Sequence, residues 1–207
     1  PGIGGEFSKY PLNSICVRLS SIVVIFLVSM IVVSNRNLME NSPMMAGRDK
    51  DETDRFDRLE RRLQALEDTE AIRNLKARYA ALCDDHYDAD GIAELFSEDA
   101  IWESPALGRF EGREMIRNFF KGASKIFSFA IHYSLNGHIE VCGDNANATW
   151  YLFMPCTLGA NNQAMWRAGI DRETYARIDG HWKYKLKVSE PLFNSPFDKG
   201  WAKKRFV

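Results

Sequence analysis

Between residues 51 and 83 the apolar positions Phe56, Leu59, Leu63, Leu66, Ile72, Leu75, Tyr79 and Leu82 recur mostly at spacings of three and four. That period marks one face of a helix, or of two helices separated near Asp68-Thr69, with Thr69 capping the second. The first part is highly charged and its apolar stripe is narrow, which suits packing on a partner subunit or along the domain edge. Asp90-Gly91 predicts the cap of a short helix over 92–96, and residues 100–103 a short strand. Residues 108–112 read as a turn into a helix over 113–121.

After Lys121 the pattern changes to strands. Residues 127–141, 146–158, 164–178 and 182–192 are rich in aromatic and β-branched side chains, and Gly143-Asp144-Asn145, Gly159-Ala160-Asn161-Asn162 and Asp179-Gly180 separate them as turn formers. Helices followed by an antiparallel meander spell the α+β class. The expected architecture is a cone-shaped α+β barrel, with N-terminal helices packed on a strongly curved antiparallel sheet that encloses one pocket. The domain covers residues 51–207.

Residues 1–50 stand apart as an extension. The segment 19–33 is almost wholly apolar and follows Lys9 and Arg18. Its fifteen residues, at about 1.5 Å each, fall short of a bilayer core of about 30 Å, whereas residues 15–34 would reach across. An export signal or membrane anchor is one reading. The other is upstream translated or vector-derived sequence, since the chain opens on Pro1 and Met39, Met44 and Met45 offer later starts. On the second reading the protein is cytoplasmic; a membrane association follows only if 15–34 is an anchor.

Composition narrows the classes. A net charge of −1 supplies no overall field toward nucleic acid or an acidic membrane, so nucleic-acid binding is not expected. The four cysteines are scattered without a CxxC pair, which suits small core residues rather than zinc or a disulfide framework. The four histidines have no ligand spacing, so no metal and no cofactor are expected.

Several runs then carry a family resemblance: Ala71-Ile72-Arg73-Asn74-Leu75-Lys76-Ala77-Arg78-Tyr79, Asp84-Asp85-His86-Tyr87-Asp88, Leu95-Phe96-Ser97-Glu98-Asp99-Ala100-Ile101-Trp102-Glu103, Gly108-Arg109-Phe110-Glu111-Gly112-Arg113, His132, and Tyr175 to Trp182 with the closing Ser195 to Trp201. Together they resemble SnoaL-like proteins of the nuclear-transport-factor-2-like superfamily. The resemblance is specific for fold and not for reaction, because that superfamily includes dehydratases, isomerases, cyclases and non-catalytic binders.

The resemblance implies a site. In scytalone dehydratase and bile acid 7α-dehydratase, to which the chain is distantly similar, a Tyr and an Asp near the end of the pocket helix act with a His on the facing sheet. Carried over, Tyr79, Asp84 and His132 are the catalytic set. His132 is the base, Asp84 orients it, and Tyr79 donates to developing oxyanion character. Each has a plainer reading: Tyr79 and His132 as satisfied core residues, Asp84 as a helix-end residue with Asp85 facing inward. Trp102, Phe120, Asn136, Trp150, Leu152, Met154 and Trp166 are the expected substrate-binding residues, with Arg167 a further polar contact; the plainer reading of Asn136 and Arg167 is a solvent-facing or sheet-edge side chain. Met and aromatic enrichment suits a hydrophobic, aromatic or polycyclic small molecule. Scytalone dehydratase carries a second pocket His on the next strand, where this chain reads Trp150-Tyr151-Leu152-Phe153-Met154-Pro155-Cys156. Dehydration therefore lacks one expected group, and generic proton transfer stands. The implied function is a cofactor-independent lyase or isomerase; the alternative is a non-catalytic ligand-binding or oligomerisation module. An apolar outer sheet face would make the domain a homo-oligomer, a dimer or a trimer.

Overall fold

The computed structural model describes residues 43–207, with side chains from Asp51 onward. The apolar segment 19–33 and the alternative start at Met39 lie outside the described residues. The chain divides between Asp57 and Arg58, and the unit Arg58–Val207 contains the sheet and the cavity.

One helix, α1 (Pro43–Asp84), runs without interruption where two were an open alternative. The expected break and cap near Thr69 are corrected by a local bond. The Thr69 hydroxyl donates to the Ala65 carbonyl at 2.8 Å, one turn back, so the side chain sits inside a continuing helix. Asp68 beside it faces inward. Its carboxylate accepts from Trp182 Nε1 at 3.2 Å and pairs with Arg177 at 2.6 Å, which ties the helix to the far strands. From Ile72 onward the apolar stripe is buried, with Tyr79 and Cys83 on it, whereas Leu59, Leu63 and Leu66 are exposed.

A short α2 (Ala89–Glu94) follows, capped by Asp88 rather than by the expected Asp90-Gly91, because the Asp88 carboxylate accepts the Gly91 N–H at 3.1 Å. Strand β1 (Phe96–Ser104) pairs antiparallel with β2 (Gly108–Glu111), so most of the expected turn at 108–112 is a strand. Helix α3 (Arg113–Ile126) is longer than expected and buries Ile116, Phe120 and Ala123. The stretch expected as one strand over 127–141 is two, β3 (Phe127–Ala130) and β4 (Tyr133–Cys142), with Ile131 and His132 between them. The long strands β5 (Asn145–Leu158), β6 (Ala164–Ile178) and β7 (His181–Pro196) come next, and α4 (Gly200–Lys203) ends the chain.

The sheet order is β2-β1-β7-β6-β5-β3, with β4 also paired to β5. β1 runs parallel to β7, Ile101 opposite Leu186, so the sheet is mixed rather than wholly antiparallel. Register shifts in the β4–β5 and β6–β7 pairings add twist, and the sheet curls strongly into a half-barrel. At the β4 irregularity the ring of Trp150 lies over Gly137, where a Cβ would sit 2.2 Å from it. The α+β class and the helices-on-curved-sheet architecture are those of the sequence reading. Inside the curl, Tyr79 of α1 packs with Phe96 and Tyr184, and Tyr184 in turn meets Tyr175 with centroids 4.9 Å apart.

Candidate active site

The concave side of the sheet, the C-terminal half of α1 and α3 surround a cavity of about 80 Å³. Of the residues named from sequence, Tyr79, His132, Trp102, Phe120, Leu152, Met154 and Arg167 line it. Asp84 reaches the cavity through His132. The other three do not line it. Asn136 is exposed at the β4 irregularity, with φ 50°. Trp150 is buried against Gly137, 5.7 Å from the Lys76 ammonium. Trp166 takes the opposite face of its strand and stacks on Phe153 at 5.6 Å and Phe197 at 5.3 Å.

His132 owes its place to the gap between β3 and β4. Its backbone N–H donates to Asp84 Oδ1 at 2.9 Å. The same oxygen lies 2.7 Å from His132 Nδ1. A carboxylate only accepts, so Nδ1 carries a proton, and in the neutral ring Nε2 is the nitrogen with the lone pair. Asp84 is the last residue of α1, and the chain then turns through left-handed backbone at His86 and Tyr87, φ 54° and 60°. That turn swings Tyr87 inward, where its ring meets the His132 ring edge-on at 5.9 Å.

Two phenols face the cavity. The Tyr79 hydroxyl accepts a hydrogen bond from Trp102 Nε1 at 3.1 Å. Burial holds its pKa well above the ordinary value, so the group stays a phenol with a proton to donate. A donor bonded to a hydroxyl oxygen strengthens that hydroxyl as a donor in turn. The Tyr87 hydroxyl is buried without a hydrogen-bond partner, and burial raises its pKa as well. Sequence reasoning did not single out Tyr87 for the site. Nothing in the Asp-Asp-His-Tyr-Asp run says which side chain faces inward until the left-handed turn is known.

Lys76, Asp171 and Lys187 line the cavity floor with Glu173 behind them, four charges that sequence reasoning also missed. Lys76 Nζ lies 2.7 Å from Asp171 and 2.6 Å from Glu173. Lys187 Nζ lies 2.6 Å from Asp171 and 3.2 Å from Glu173. Ser189 donates to the second Asp171 oxygen at 2.7 Å, and the Tyr175 hydroxyl donates to Glu173. All four charged groups are buried. Burial alone would raise the Asp171 pKa, but the two ammoniums beside it win and hold it well below the usual carboxylate range. Burial would likewise lower the Lys76 pKa, and its two carboxylates raise it instead. The two ammoniums lie 5.8 and 5.2 Å from the Tyr79 ring centroid. A signal was present in the sequence: Asp171 and Glu173 alternate with Met165, Gly169 and Tyr175 on one strand face.

Among the described residues, no group of three or more His, Cys, Asp or Glu is placed to hold a metal ion. None of the described helices is long and apolar enough to cross a membrane.

Comparison with known proteins agrees with this geometry at the level of fold. The SnoaL-like domain family matches residues 64–186. A curated relative, the gamma-hexachlorocyclohexane dehydrochlorinase of Sphingobium indicum, is 26% identical over 98 residues, which is 46% of this chain and 63% of that protein. The match thus spans less than two thirds of that relative's length. Among solved structures, hexachlorocyclohexane dehydrochlorinase LinA-type3 from Novosphingobium barchaimii superposes with a TM-score of 0.61 at 23% identity, covering 65% of this chain and 93% of that one. A nuclear-transport-factor-2-like protein with a cystatin-like fold from Novosphingobium aromaticivorans gives 0.56 at 26% identity, covering 70% and 92%.

Proposed function

We propose that this chain, which belongs to the SnoaL-like domain family, is a cofactor-independent lyase or isomerase that abstracts a proton from a hydrophobic, aromatic or polycyclic small molecule. The observation that carries this reading is the 2.7 Å contact between His132 Nδ1 and Asp84 on the wall of a cavity that Tyr79 also lines. His132 Nε2 takes the proton from an acidic C–H. In an elimination, the C–H electrons form the new double bond and the leaving group departs with its electron pair. In an isomerisation they pass onto a carbonyl oxygen, which meets the Tyr79 hydroxyl as an enolate. Asp84 fixes the ring tautomer and stabilises the imidazolium that forms.

The relative named a hexachlorocyclohexane dehydrochlorinase supports the lyase side, since loss of hydrogen chloride also begins with removal of a C–H proton. β5 carries no histidine, so a departing hydroxide has no second imidazole to protonate it. That favours a leaving group that departs as an anion, or no leaving group at all. A homo-oligomer, dimer or trimer, belongs to the same proposal.

The test uses the full chain and two probes: chloride release from gamma-hexachlorocyclohexane, and solvent deuterium exchange into 1-tetralone. The wild-type chain accelerates at least one. His132→Ala and Asp84→Asn each lower that rate by about 10²–10⁴, and Tyr79→Phe by about 10²–10³. If the wild-type chain promotes neither reaction, or if His132→Ala leaves the rate unchanged, the proposal fails and the non-catalytic binding module replaces it.

A further inference from the structure

Every other buried charge on the cavity is matched from within the protein; Arg167 is not. It stands on β6 at the inward parity of Met165, Gly169 and Asp171, half-buried, and lines the cavity that holds His132. Its register partner on β7 is Asn194, whose Oδ1 accepts the Nε–H at 2.7 Å. The guanidinium carbon lies 4.8 Å from the centroid of the Phe127 ring, which supports one face of the fork. Among the described residues no carboxylate lies within ion-pair distance of it, whereas Lys76 and Lys187 each pair with both Asp171 and Glu173.

The remaining neighbours are neutral. Burial pushes the Cys156 thiol up to about 11 and raises the Tyr87 phenol above its ordinary value, so neither supplies a negative charge at neutral pH. Withdrawal from water is the largest influence on the guanidinium itself and lowers its pKa. A half-buried unpaired charge is costly, and a ligand anion would relieve that cost on binding.

We propose that the cavity binds a hydrophobic molecule bearing a single carboxylate, held by the guanidinium of Arg167 with its apolar body among Phe127, Leu152 and Met154. Nε is committed to Asn194 and the guanidinium also meets the neutral Cys156 thiol, a weak acceptor that a carboxylate displaces to take the planar fork with two parallel hydrogen bonds. One unpaired guanidinium beside a charge-balanced quartet matches one negative charge rather than two. Ala168, Gly169 and Pro191 complete this side of the cavity without polar side chains, which suits an apolar body. This deepens the lyase or isomerase reading and rests on it for one point, that the bound carboxylate is a substrate.

The binding itself is tested without turnover. Calorimetric titration of the full chain at neutral pH and low salt compares benzoate with its neutral isostere benzamide. Benzoate binds about tenfold tighter or better, as a charge-assisted pair out of bulk water requires. Arg167→Met removes the preference by weakening benzoate alone. Arg167→Lys keeps part of it, and Asn194→Ala weakens it while leaving the cation, which covers the case of a Met variant that does not fold. His132→Ala lowers the rate of proton transfer yet retains the preference, so this proposal and the catalytic one can fail separately. The proposal is overturned if benzamide binds as tightly as benzoate, if benzoate does not bind up to its solubility limit, or if a folded Arg167→Met chain keeps the preference.

Discussion

A carboxylate with almost no solvent contact is tolerated only when positive groups surround it, and Asp171 has two ammoniums and a serine hydroxyl at hydrogen-bond distance. Asp171→Asn leaves Lys76 and Lys187 to share Glu173 alone, and breaking such a buried network costs about 3–5 kcal/mol. The measured quantity is the denaturation midpoint. A folded variant with an unchanged midpoint would mean that the four charges are not coupled. The pH dependence follows from the sign of the shift. The Asp171 pKa is lowered in the folded state from its ordinary 3.8, so its contribution is complete above that value. It is lost as pH falls from there through the lowered folded value. The stability gap between wild type and Asp171→Asn therefore narrows only under strongly acid conditions. At this scale Tyr79 and His132 were legible because family motifs mark them, whereas Lys76, Asp171, Glu173 and Lys187 looked like solvated charges. Burial is a tertiary property, and a charge on a strand reads as outward until its partners across the sheet are known.

At the scale of elements, the site exists because two strands stop short. A continuous strand over 127–141 would have committed the backbone of His132 to a ladder. The break between β3 and β4 frees its N–H for Asp84 instead. The turn after β5 abuts the end of α3 just as closely. Gly159 N–H donates to the Ile126 carbonyl at 2.9 Å, and a Cβ there would sit 2.2 Å from the Lys125 carbonyl oxygen. Both contacts are backbone and cannot rotate away, so Gly159→Ala destabilises by about 1–3 kcal/mol, read as a lowered Tm. An unchanged Tm would show that the α3–β3 junction shifts freely. The long strands β5, β6 and β7 were legible from apolar composition and turn residues. The break at His132 was not, because Phe129-Ala130-Ile131-His132-Tyr133 has the same β-forming residues on both sides of it.

For the whole molecule, the proposed homo-oligomer would form through the convex side of the sheet. Leu135 pairs across the sheet with Tyr151 and Tyr133 with Phe153. Leu135, Tyr151, Tyr133 and nearby Phe129 are exposed. An apolar patch of adjoining strands is better covered than left in water, and a second copy of the same face would cover it. Light scattering on the full chain should give the mass of two or three chains, and Leu135→Arg with Tyr151→Arg should bring it to one. A wild-type mass of one chain rules this out.

Sequence by itself determined the class of fold. Period and turn chemistry are local, and the spacing of Tyr79 and Asp84 is set by one helix. Only the tertiary structure decided that α1 is continuous, that β1 joins β7 in parallel, that Asn136, Trp150 and Trp166 do not line the cavity, and that Arg167 meets no carboxylate there. Each of those depends on which distant residue stands opposite, and pairing across a curled sheet with register shifts is not encoded at any fixed spacing along the chain.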